Sequence, residues 1–171
     1  MSRETCSAIR ALKTNRFDIV PRDLIRIVED SPPLANYCRS LTAQTGGVQT
    51  HLFELSVVDS GLGFAAAWTG RRLVELSDAE EERAVRVCFG RGSTKVGNRF
   101  GDGLPHVLRM LRKELGFLRL RTGHISLYAD YSRPEQQPEA PKLQRFRPDR
   151  DELAPVAGSL LTLVIPLSRR V

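Results

Sequence analysis

The stretch HLFELSVVDSGLG, residues 51–63, limits the fold more than any other part of the chain. With alternating side chains, Phe53, Leu55 and Val57 share one face of a strand. Leu52 and Val58 share the other with Glu54 and Ser56. Near its end the strand is apolar on both faces, which places it inside a sheet rather than at an edge. It then stops at an acid followed by two glycines spaced by one residue, Asp59-Ser60-Gly61-Leu62-Gly63.

The remaining pattern is mixed. Residues 1–45 lean towards helix, with an apolar cluster in DLIRIVED (23–30) ended by Ser31-Pro32-Pro33, and a second helix over 34–44. Ser77-Asp78-Ala79-Glu80 is a capping box, so a helix should run from there to about Phe89. Leu104, Val107, Leu108, Leu111 and Leu115 recur at helical spacing, with Arg109, Arg112 and Lys113 opposite and Gly116 as the C′ residue. Residues 117–131 read as a β-hairpin turning at Gly123-His124, and SLLTLVIPL (159–167) as a final strand. The proline-rich, charged segment 132–157 reads as a loop. The order predicts one α+β domain over residues 1–171, a two-layer sandwich whose mixed, mostly antiparallel sheet carries helices on one face.

The chain has 171 residues, 41% of them hydrophobic and 27% charged, enough for one real core. It has no apolar run of membrane-spanning length, and the first residues lack the apolar core of a secretory signal. A cytoplasmic protein without membrane contact is the expectation. Cys6, Cys38 and Cys88 are far apart and form no metal-ribbon or redox motif, so they read as reduced thiols. The net charge of +6 suits phosphate-bearing ligands, but the arginines are scattered from Arg3 to Arg170, which does not favour nucleic acid as the partner.

Two glycine clusters carry the chemistry. At the first, Asp59 would accept a hydrogen bond from a ligand amino group, while Gly61 and Gly63 would let a flat ring approach the backbone. A plain turn closed by an Asx hydrogen bond is the competing reading. The second, Gly90 to Gly103, abuts a helix start. There Gly101 and Gly103 would let exposed amides close around an anion, with Lys95, Arg91 and Arg99 as countercharge. Neither the P-loop nor the dinucleotide-binding fingerprint fits: Thr94 precedes Lys95, and no third glycine follows Gly103 at the required spacing.

Taken together, Asp59, Gly61 and Gly63, then FGRGSTK (89–95), then Gly101-Asp102-Gly103-Leu104, a hairpin, and Gly158-Ser159 before the last strand resemble the GHKL ATPases. This is the Bergerat fold of gyrase B, the large heat-shock chaperones, histidine kinases and mismatch-repair ATPases. The resemblance covers about residues 48–167, leaving 1–47 as a divergent helical part. It implies that Asp59 accepts the adenine amino proton with Ser159 beside it, that Gly61 and Gly63 shape the adenine pocket, and that residues 90–100 form a lid. It also implies that Gly101, Gly103 and Leu104 hold phosphates through backbone amides, and that Lys95 reaches the terminal phosphate of ATP or ADP.

The family's N-box, a helix with a glutamate four residues before a magnesium-binding asparagine, has no clear counterpart. Asn36 is the sole candidate for Mg²⁺, and the position four residues before it is Pro32; Glu29 lies seven residues back. Both remain weak catalytic candidates, so Mg²⁺ is doubtful. The leading reading is a regulatory or signalling ATP-binding module that acts on a protein partner or homodimer through lid closure. The alternatives are a nucleotide-free pseudo-ATPase serving as a protein or nucleic-acid interaction module, and an active kinase or ATPase with a divergent N-box. His106, in the first turn of the helix that follows Gly103, reads as a weak phosphoacceptor, His124 as a turn residue, His51 as a strand start. Trp68 reads as a packing or contact residue.

Overall fold

A computed structural model of the chain describes residues 10–19, 21–44, 50–91, 103–133, 143–146 and 153–167. Six strands form one sheet: β1 (Arg10–Ile19), β2 (Thr50–Asp59), β3 (Phe117–Gly123), β4 (Ile125–Asp130), β5 (Gln144–Arg145) and β6 (Val156–Leu167). Their spatial order is β1-β2-β6-β3-β4-β5, and every neighbouring pair is antiparallel. The helices are α1 (Pro21–Ile27), α2 (Pro32–Gln44), α3 (Gly63–Thr69), α4 (Asp78–Arg91) and α5 (Gly103–Lys113), with a 3₁₀ turn at Leu73–Glu75. The α+β class and the internal position of β2 match the sequence reading. None of the helices is long and apolar enough to cross a membrane among the described residues.

The alternation of side chains sorts the core into two layers. Leu118 and Leu120 of β3, Leu127 and Ala129 of β4, and Leu163 of β6 share one face. They pack with Ala65 of α3, Val85, Cys88 and Phe89 of α4, and Leu108 and Leu111 of α5. Phe117, Val164 and Leu52, each one residue out of phase, point to the opposite face and pack with Tyr37, Cys38 and Leu41 of α2. Helices therefore cover both faces, and the expected one-sided layer is corrected. Truncating a fully buried leucine of the larger core, such as Leu120 or Leu127, removes contacts worth about 2–5 kcal/mol.

The second face is fastened by aromatic rings. Tyr37 lies 5.2 Å from Phe117, Phe117 stacks on Tyr128 at 5.7 Å, and Phe146 meets Tyr128 edge-on at 6.0 Å. The Tyr37 hydroxyl donates to the Leu115 carbonyl at 3.0 Å, which locks α2 to the end of α5. Burial raises the pKa of the Cys38 thiol to about 12 and that of Cys88 to about 11, in keeping with inert packed thiols.

Local expectations are mostly met, with informative exceptions. The Ser77 box forms: the Ser77 amide donates to Glu80 Oε2 at 2.9 Å and the Glu80 amide to Ser77 Oγ at 3.4 Å. Helix α4 runs two residues past Phe89, taking in Gly90 and Arg91. At the end of α5, the left-handed residue is Leu115 (φ 55°), not Gly116. Gly116 is needed one step later for space, since a Cβ there would lie 2.5 Å from Leu111 Cδ2 and 3.1 Å from the Val164 carbonyl. Its amide donates to the Leu111 carbonyl, closing the helix end.

Three elements depart from the sequence reading. β1 lies within the part expected to be helical. Its sequence, RALKTNRFDI, shows no period-two pattern, and ten residue pairs with β2 impose the strand. Pro32 and Pro33 begin α2 rather than merely ending the segment before it, since their missing amide donors fall where a helix start needs none. The segment expected to be a loop supplies β5, flanked by buried Leu143 and Phe146, and β6 starts at Val156. Glu82 fastens β5 to α4, pairing with Arg86 and, at 2.8 Å, with Arg145.

Candidate functional site

Strand β2 delivers Asp59 to the rim of the sheet, where it pairs in register with Ser159 of β6; Ser159 pairs in turn with Thr122 of β3. The three residues stand side by side across three strands on the face packed by α3, α4 and α5. Directly after Asp59 the chain reverses. The Gly61 amide donates to Asp59 Oδ1 at 2.8 Å, an Asx turn, and α3 begins at Gly63.

Gly63 and Gly158 are explained by how closely the chain packs at this rim. Gly63 has φ 78°, and a Cβ on it would lie 2.9 Å from both the Gly158 carbonyl and Thr122 Oγ1. Gly158 has φ 76°, and its Cβ would lie 1.7 Å from the Asp59 carbonyl oxygen. A Cβ on Gly61 would meet Asp59 Oδ1 at 3.1 Å. Thr122, 2% exposed, ties the pieces together: its hydroxyl donates to the Gly158 carbonyl at 2.9 Å and accepts the Phe64 amide at 3.4 Å. The pattern D-x-G-x-G and the distant Gly158-Ser159 are thus one structural unit, and Thr122, which the sequence reading passed over, is its clasp.

The phosphate elements are partly in view. Gly103 opens α5 and is exposed, and Leu104 and Val107 pack onto the same core as Phe64 of α3. The start of α5 and the Asp59 turn therefore belong to the same face of the sheet. Lys95, Arg99 and Gly101 lie outside the described residues; of the segment 90–100 expected to form a lid, Gly90 and Arg91 belong to α4 and 92–100 lie outside the described residues. His106 is exposed in the first turn of α5. Trp68 lies on α3 and is 41% exposed.

The proposed catalytic residues are elsewhere. Asn36 lies within α2, on the other face of the sheet from Asp59, and its Oδ1 accepts a hydrogen bond from Arg39 at 2.8 Å. Glu29 is exposed in the turn between α1 and α2. Asn36 lines a polar cleft of about 530 Å³ with Arg39, Tyr128, Asp130, Arg133 and Gln144. That cleft opens on the α2 face, away from the Asp59 rim.

One charged feature at the same rim escaped the sequence reading. Glu81 is 1% exposed, and its carboxylate accepts the His124 amide at Oε1 (3.0 Å) and faces His124 Nδ1 at Oε2 (2.9 Å). The hairpin tip is built around it. Gly123 has φ 49°, and a Cβ there would lie 2.0 Å from Glu81 Oε1. Arg121 closes the tip from outside, donating to the carbonyls of Gly123 and Ile125. Burial lowers the pKa of its guanidinium, and the charge of Glu81 opposes that shift. A signal was present: Glu81, Ala84, Val85, Cys88 and Phe89 fall on one stripe of α4, so a carboxylate occupies a core position.

Compared with known proteins, the chain gives no match to a family model, a curated protein or a solved structure.

Proposed function

We propose that the chain is an adenine-nucleotide-binding module with a Bergerat-like arrangement, acting on a protein partner or a second copy of itself rather than turning over ATP. The carrying observation is the row Asp59–Ser159–Thr122 at the rim of the sheet, beneath α3 and on the face where α5 begins. The Asp59 carboxylate and the Ser159 hydroxyl, in register, offer hydrogen-bonding groups to a purine edge, while the buried Thr122 hydroxyl, engaged with Gly158 and Phe64, holds the rim in shape. The start of α5 offers backbone amides to an anion on the same side. Since α2 carries Asn36 on the opposite face, the asparagine expected to hold Mg²⁺ is not beside Asp59, and among the described residues magnesium-dependent hydrolysis has no asparagine assigned to it. Binding through Asp59 and the α5 amides does not need one.

Isothermal titration of the full chain with ATP and ADP, with and without Mg²⁺, tests this reading. The expected result is one nucleotide per chain, little dependence on Mg²⁺, and at least a tenfold loss of affinity in Asp59→Asn with the melting temperature nearly kept. Absence of binding in the folded protein overturns it, and equal binding by the variant removes Asp59 from the site.

A second reading has its own support. Gly63 and Gly158 are accounted for by their positive φ and close backbone packing, and Gly61 by its contact with the Asp59 side chain, so the motif has a structural purpose without a ligand. In that case the fold serves as an interaction module. It then shows no nucleotide-dependent thermal shift, and its basic surface binds its partner in a salt-dependent manner.

A further inference from the structure

We propose that Asp78, Glu81 and His124 form a binding site for a divalent transition-metal ion, independent of the nucleotide reading. One donor atom from each residue lies within 4.8 Å of the others. Asp78 and Glu81 are three residues apart in the first turn of α4 and so share one side of the helix. His124 approaches from the β3–β4 turn, 43 residues away in the chain.

The chemistry of the set is that of a borderline metal. An imidazole with two carboxylates suits zinc and its neighbours, whereas magnesium and calcium favour all-oxygen shells. Metal–donor bonds of about 2.0–2.2 Å in a tetrahedral shell place donors about 3.3–3.6 Å apart. The three donors here lie within 4.8 Å of one another, so binding requires them to draw together, which the exposed Asp78 side chain can do by changing rotamer.

The other two ligands are already placed. Glu81 is buried, and its position is fixed by the His124 amide and by the close approach of Gly123. The hydrogen between His124 Nδ1 and Glu81 Oε2 must leave Nδ1 for the metal to bind there. A shift of that hydrogen to Nε2 keeps the imidazole neutral and frees the Nδ1 lone pair, and an imidazolium would instead release one proton. Three protein ligands leave a fourth position for water, and the partial exposure of His124 gives an entry path.

The buried carboxylate supplies the second reason. A charge enclosed to this degree is costly unless paired, and the Arg121 guanidinium that interacts with Glu81 lies on the outside of the hairpin tip. A divalent cation compensates both Glu81 and Asp78.

Zn²⁺ titrated into the full chain, without nucleotide, should bind one equivalent. Asp78→Ala and His124→Gln should each weaken that binding at least tenfold, with far-UV circular dichroism unchanged. His124→Gln keeps the backbone amide that Glu81 accepts, and Asp78 is exposed, so at least one variant folds normally. Co²⁺ in place of Zn²⁺ should show ligand-field bands without a sulfur charge-transfer band. No binding, equal binding in both variants, or a thiolate band from the cysteines would each overturn the assignment.

Discussion

The Asp59 turn and the Gly123–His124 hairpin tip lie at the same rim of the sheet, and each is a glycine turn closed on a carboxylate. They differ in where the carboxylate comes from. Asp59 is two residues from the amide it accepts, and it is partly exposed. Glu81 comes from a helix 43 residues away in the chain and is almost wholly enclosed. The local turn can form early and tolerates change at its acid. The remote one holds only when α4 and the hairpin are already docked, so its acid belongs to tertiary stability.

Substitutions can break or sharpen this contrast. The largest effect is expected from Gly158→Ala, because its Cβ would collide with the Asp59 carbonyl in a conformation that already disfavours a side chain. Denaturant melts should show a loss of roughly 3 kcal/mol or more, or no folded protein. Retention of full stability would mean that the two strands at the rim are more loosely joined than the register implies.

Glu81→Ala comes next. It leaves the part-buried His124 amide without its acceptor and opens space beneath Gly123, at about 1–3 kcal/mol. Asp59→Ala should cost less, about 1 kcal/mol, through the lost Gly61 hydrogen bond. If the order of these two were reversed, the division between a remote, stabilising acid and a local one would fail.

The smallest effect concerns pH. The Ser77 amide, then the Ser77 hydroxyl and Arg71, lower the pKa of Glu80 from 4.5 to about 2. A lowered folded value means that the stabilisation is complete above the unfolded pKa and is lost as pH falls from about 4.5 through about 2. Ser77→Ala should flatten that acid arm of a stability–pH curve, modestly, because Glu80 is at the surface and screened by solvent.

The same contrast explains how much the sequence revealed. β2, the β3–β4 hairpin, α4 and α5 were legible because each has its own period and its own stop signal. β1 was not, since its strand state comes from pairing with β2 and its residues alternate poorly. β5 was hidden among prolines, with only Leu143 and Phe146 as anchors. The split of helices between two faces depends on the phase of Phe117, Tyr128 and Val164, which a single strand cannot disclose. At the candidate site, Asp59, Gly61 and Gly63 were readable as a local motif, and Ser159 was placed beside Asp59 by resemblance. Thr122 and Glu81 were missed because their partners are far away in sequence, although Glu81 sat visibly on an apolar stripe.

Trp68 is the only tryptophan in the chain, and it sits half-open on the short helix that grows directly from the Asp59 turn. Its indole is therefore a native optical probe for this corner of the molecule. Any occupant of the rim that shifts α3 or shields its surface changes the colour or quenching of a single emitter, so ligand screening needs no dye and no engineered label.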